Sequence, residues 1–184
     1  MKNIVRKSEI NVENSTATEQ WRTTNTVSTG IVESIKVYVD YGLVTSYSNW
    51  DMPIRFAMQH WANANNSKVN FYMLNSNPSY DENNFADIAI MPDNGSLSNG
   101  GIAAATFPTV TGSPGWQIIV NTDFHSTSPG NTVSEANRFS NKVWAIVHEI
   151  GHCLGFRHSN WQAAGESIAP DGAIQISSTP SYRS

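Results

Sequence analysis

The sequence predicts an α/β fold built on one sheet with two principal helices. Three observations carry that expectation. Residues 35–40 alternate apolar and polar with a period of two, as a strand with one buried face does. Four further short runs are apolar or β-branched and are separated by Asn, Gly, Ser and Pro clusters. Two longer segments place apolar residues at helical spacing. The order strand, helix, several strands, helix, tail is that of an α/β domain.

Residues 1 to about 30 are polar and lack a sustained period, and the tract from Asn11 to Thr18 reads as flexible. They are expected to form a flexible leading segment outside the core, with the folded domain over residues 31–184. The sheet begins where Ile35, Val37 and Val39 alternate with Lys36, Tyr38 and Asp40. Asp51 can cap the helix that follows, Pro53 is tolerated in its first turn, and Ile54, Ala57, Met58 and Trp61 form a stripe that should face the sheet. Val69 to Leu74, Ala86 to Met91, Ile102 to Phe107 and Trp116 to Val120 are the four further strands. Thr132 and Glu135 have the spacing of a capping box, but Asn137 to Ser140 is weakly apolar, so a start near Ser140 is the alternative. Val143, Ile146, Val147, Ile150 and Leu154 mark the buried face of this second helix. After Gly155 the chain turns polar and irregular, and no internal repeat is found.

With 184 residues, the chain is long enough for one domain with a real core. A net charge of −4 provides no basic field for polyanions or anionic lipid, so nucleic-acid and membrane-surface roles are disfavoured. No apolar run approaches the roughly 20 residues needed to span a bilayer. Cys153 is the single cysteine, so an intrachain disulfide is impossible and the fold must rest on its core, with or without a metal. Low charge, many Asn, Ser and Thr, and no apolar leader within these residues suit a secreted protein whose targeting region lies upstream. Oligomeric state leaves no mark in the sequence.

The chemistry is concentrated in His148-Glu149-Ile150-Gly151-His152. Two imidazoles four residues apart lie on one face of a helix, one turn from each other, and can reach one ion. Glu149 is rotated roughly 100° round the helix from His148, so it need not be a ligand and can act as general base on a water in an open coordination position. Gly155 can take the left-handed conformation that ends a helix, letting the chain reverse and return His158 as a third ligand. Three imidazoles and a water suit one catalytic Zn²⁺, which brings the pKa of that water toward about 7. A bare His-Glu-x-x-His arises by chance often enough to be moderate evidence. The glycine and the third histidine at their required positions make it specific.

The full string His148-Glu149-x-x-His152-x-x-Gly155-x-x-His158 resembles the extended zinc signature of the metzincins, and His-Glu-Ile-Gly-His is similar to the bacterial dual-action HEIGH metallopeptidases. The resemblance implies zinc-dependent hydrolysis of polypeptides and makes residues 31–184 a metallopeptidase catalytic domain. It implies a twisted, mainly parallel sheet with an antiparallel edge strand above the cleft. Gly101 to Pro108 looks like that strand, along which an extended peptide would pair with Ala103, Ala104 and Ala105. It also makes residues 1–30 a candidate propeptide remnant. Metzincins carry a methionine turn after the third histidine, whereas all five methionines here lie at or before Met91. The short C-terminal subdomain is therefore expected to be truncated, with activity reduced for want of that floor. A zinc-binding pseudoprotease that captures peptides without efficient turnover is the alternative, and a zinc-stabilised structural module is a third. The intact Glu149 argues against both.

Other candidates read more plainly. His60 and His125 have no motif around them and are taken as surface or hydrogen-bonded residues. Cys153 diverges by about 100° from His152 round the helix and is taken as a small packing residue. Trp116, Trp144 and Trp161 fit a specificity pocket less well than core filling or a cleft wall. Asp81, Glu82, Asp87 and Asp93 have no spacing that defines a calcium loop, so calcium stays open.

Overall fold

The computed structural model describes residues 3–6, 20–74, 85–97, 100–127, 132–168 and 170–176. Among these residues, nine strands, β1 (Asn3–Arg6), β2 (Gln20–Arg22), β3 (Ile35–Val39), β4 (Phe71–Met73), β5 (Ile88–Pro92), β6 (Gly101–Ala105), β7 (Gln117–Val120), β8 (Phe156–Arg157) and β9 (Ile174–Ile176), are joined by three α-helices. These are the single turn α1 (Thr29–Val32) and the two long helices α2 (Asp51–Ala62) and α3 (Glu135–Leu154).

Six strands form one sheet in the order β1-β6-β7-β5-β3-β4. The pairs β3–β4, β3–β5 and β5–β7 are parallel, whereas β6 runs antiparallel to β7. The mainly parallel sheet with an antiparallel strand towards one side is thus as expected. Alternation places Ile35 and Val37, Ile88 and Ile90, and Ile118 and Val120 in one core. Ile54, Ala57 and Met58 of α2 and Ala145, Ile146 and Ile150 of α3 complete it. The two helices also pack on each other, and the Trp61 indole donates to the Val147 carbonyl at 2.9 Å, fastening α2 to the turn of α3 that bears His148. Lys142, almost wholly buried on α3, donates to the carbonyls of Ser48 at 2.5 Å and Asn49 at 3.4 Å. Its ammonium lies 5.0 Å from the Trp50 ring. Burial, and then the Arg138 charge, lower its pKa to about 8.

Several boundaries differ from the sequence expectation. The cap of α3 is Ser134, whose hydroxyl accepts from the Asn137 N–H at 3.3 Å, so the helix starts neither from Thr132 nor near Ser140. The polar first turn is helical because that cap satisfies it while the apolar stripe downstream anchors the rest. Trp50 occupies the N-cap position of α2, and Asp51 stands one residue inside, where its charge still suits the helix N-terminus and meets Arg55 at 3.0 Å.

The largest difference lies in the described part of residues 1–30, expected to stand apart from the core, while the tract from Asn11 to Thr18 lies outside the described residues. Within them, β1 pairs antiparallel with β6, setting Ile4 opposite Ala104, so β6 lies between β1 and β7. Further on, β2 is the middle strand of a second, antiparallel sheet, β8-β2-β9. Backbone pairing needs no apolar period, which is why a polar segment could hide two strands. No described helix is long and apolar enough to cross a membrane.

Candidate metal centre

The last two turns of α3 carry His148 and His152 on one face. Gly155 then ends the helix at φ 106°, and its N–H returns to the carbonyls of Gly151 and His152. A side chain there would be strained, and its Cβ would lie 2.9 Å from Thr23 Oγ1 and 3.2 Å from the Asn25 carbonyl. Gly155→Ala should therefore cost about 1–3 kcal/mol of stability, checked by the urea midpoint. An unchanged midpoint would mean that the turn tolerates a Cβ.

From Gly155 the chain enters β8, whose pairing with β2 carries it back to His158. The three imidazoles meet there. His148 Nε2 lies 2.9 Å from His152 Nε2 and 2.8 Å from His158 Nε2. Among the described residues, His148, His152 and His158 form the one group of three or more donors able to share a metal ion, with their ligating atoms within 4.8 Å of one another. His60 stacks near Trp144 with ring centroids 5.8 Å apart, and His125 meets Asn141 at 2.9 Å, so both lie outside that group.

A sequence model for the dual-action HEIGH metallo-peptidases matches residues 3–184. The chain belongs to that family. No match is found among curated proteins.

The hydrogen bonds of this HEIGH metallo-peptidase test whether its histidines suit a cation. A carbonyl oxygen only accepts, so the contact of His152 Nδ1 with the Phe156 carbonyl at 2.7 Å puts the proton on Nδ1. The Glu166 carboxylate does the same for His158 Nδ1. Both Nε2 atoms then present lone pairs towards His148, which has at most one proton on its own Nε2 to offer. Three nitrogens thus converge with too few protons to hydrogen-bond one another, and a divalent cation satisfies them all.

Burial, and then the neighbouring His158, lower the pKa of His148 to about 4, against a smaller upward pull from Glu166. Burial and the other two rings likewise hold His152 well below 6.5. Both are neutral near pH 7, the protonation state a ligand needs. The depressed pKa also fixes a sign. Between about pH 6.5 and 4 the unfolded chain holds a proton on His148 that the folded chain does not. Stability of the chelator-treated chain is therefore present above the unfolded pKa and falls as pH drops through this window. Urea midpoints from pH 7 to 4.5 should show the fall, and His148→Gln should flatten it. A parent curve no steeper than that of the variant would contradict the assignment.

Glu149 lies beside this donor group and not in it, fully buried. Its charge, after burial, raises the Cys153 thiol well above its ordinary range. Cys153 sits in the hydrophobic core, in keeping with a packing role. Trp116 and Trp144 are more than half exposed, so neither fills the core, while Trp161 meets Trp21 edge-on at 5.9 Å. Of the acidic residues weighed for calcium, Asp81 and Glu82 lie outside the described residues. Asp87 accepts from the Lys36 N–H at 2.7 Å, and Asp93 from the Ser96 N–H at 2.9 Å.

Sequence reasoning missed three residues that contact the histidine-bearing segments. The Phe107 ring stands perpendicular to His152 with centroids 5.6 Å apart. Gly115 donates to the Cys153 carbonyl at 2.9 Å, and a Cβ on it would fall 1.8 Å from the Thr106 carbonyl oxygen. Glu166 reaches His158 from eight residues downstream. None has a spacing rule that would have singled it out.

Proposed function

We propose that this chain is a zinc-dependent endopeptidase, acting on polypeptides with Glu149 as general base. The observation that carries the reading is the convergence of the three imidazole Nε2 atoms with too few protons between them. His148, His152 and His158 would hold the ion. When bound, zinc supplies a Lewis acid for the scissile carbonyl and acidifies a water toward a pKa of about 7. Glu149 would accept a proton from the attacking water and return it to the amine nitrogen as the peptide C–N bond breaks. Glu149 is fully buried next to His148 on α3, so bulk solvent is kept from the carboxylate. Incubation with casein at neutral pH should yield fragments that a chelator suppresses. Chelator-resistant cleavage, or none at all, would reject the reading.

The proposed substrate lane is β6, with Ala103, Ala104 and Ala105 supplying backbone groups to an extended peptide. Support comes from β1, which already adds to β6 as an antiparallel strand, and from α3, which packs against β6 and also touches β1. A substrate on this edge takes the place of β1. Proline at the lane position whose N–H faces outward removes a donor and should raise KM several-fold. Folded enzyme with unchanged KM for proline at each of 103, 104 and 105 would put the substrate elsewhere. A polypeptide partner follows from the family, whereas composition is what supports a secreted location and speaks against nucleic acid or a membrane surface.

A further inference from the structure

The segment around His158 is organised by a buried ion pair to which the zinc string assigns no role. Arg157 and Glu166 meet at 2.8 Å through Arg157 Nη1 and Glu166 Oε2, with side chains 0% and 4% exposed. The remaining guanidinium nitrogens are also committed. Nε donates to the Gly172 carbonyl at 2.7 Å and Nη2 to the Ser167 carbonyl at 3.0 Å. The guanidinium carbon lies 4.7 Å from the Phe107 ring, the same ring that stands against His152, and 5.6 Å from Trp161. An arginine so enclosed can hold a carboxylate in one place.

The other carboxylate oxygen faces the third histidine. Glu166 Oε1 accepts from His158 Nδ1 and also from the His158 backbone N–H at 3.3 Å. One carboxylate therefore grips both the ring and the main chain of the same residue. We propose that Glu166, oriented by Arg157, is the positioning residue of the third metal ligand. It keeps the His158 proton on Nδ1, so that Nε2 faces His148 and His152 with a free lone pair. The inference rests on the metal-site reading above and adds a residue to it. A purely structural ion pair needs Arg157 and Glu166 alone, and would leave Oε1 with no reason to address His158 twice. It is the double contact that assigns Glu166 to the site.

The sharpest variant is Glu166→Gln, which keeps shape and removes one acceptor. If its amide oxygen stays on His158, its NH₂ is set against the Arg157 guanidinium, donor to donor. If the amide turns over to satisfy Arg157, NH₂ faces His158 Nδ1 and drives the ring to the other tautomer. Three readouts follow. In the metal-free parent at pH 7.5, ¹⁵N NMR of the histidine rings should show His158 protonated on Nδ1 and bare on Nε2. Competition between protein and a chromophoric chelator for zinc alone should show Glu166→Gln binding about 10–100-fold more weakly than the parent. On a peptide substrate at saturating zinc, kcat should fall while KM stays within about twofold, since no substrate group is touched.

A parent His158 protonated on Nε2 overturns the proposal and needs no variant. Parent and variant with equal zinc affinity and the same tautomer also overturn it, leaving Glu166 a structural partner of Arg157 while the metal site stands. A parent that binds no zinc instead defeats the reading beneath it. Should Glu166→Gln fail to fold, the parent tautomer still decides.

Discussion

Glu149→Gln should leave zinc affinity unchanged while lowering kcat on casein by about 10²–10⁴-fold, the range over which a positioned general base contributes. The three imidazoles are untouched by the change, so metal content should equal that of the parent. Stability should hold or rise, because the variant replaces a fully buried carboxylate with a neutral group of the same shape. The combination is diagnostic. Loss of zinc together with activity would make Glu149 a structural support of the centre, and near-normal turnover would remove it from the mechanism.

His158→Ala acts on the other half of the site. Two imidazoles remain on α3, and the position vacated by His158 falls to water. Glu166 also loses its His158 ring contact and keeps Arg157. The loss of zinc affinity should exceed the about 10–100-fold expected for removing a supporting residue such as Glu166. Equilibrium dialysis of parent and variant against the same zinc buffer measures it. Equal occupancy would take His158 off the ligand list and leave the centre to His148 and His152 alone. A drop smaller than that of Glu166→Gln would invert the proposed order of importance.

Much of the site was legible because its geometry is local. The pair His148 and His152 follows from the helical period, and the return of His158 follows from a glycine whose φ of 106° is the left-handed turn expected of it. The central strands and the two long helices were legible for the same reason, since apolar periods of two and 3.6 residues mark buried faces wherever one side meets a core. What remained hidden depends on pairing across long separations. β1 meets β6, and β2 meets β8 and β9, through backbone groups that every residue carries. Glu166 is one of two acids in the polar stretch after His158 until β8 and the contacts of Arg157 bring it to that ring. Gly115 shows its importance only where a Cβ would strike the Thr106 carbonyl.

In the proposed function, peptide hydrolysis depends on a single zinc held by three histidines. Titrating zinc into chelator-stripped protein while following casein hydrolysis and bound metal in the same samples tests it most directly. Activity should be absent at the start, rise in proportion to bound zinc and level off at one ion per chain. Hydrolysis by the stripped chain, or an inactive chain at full occupancy of one zinc, would contradict the account.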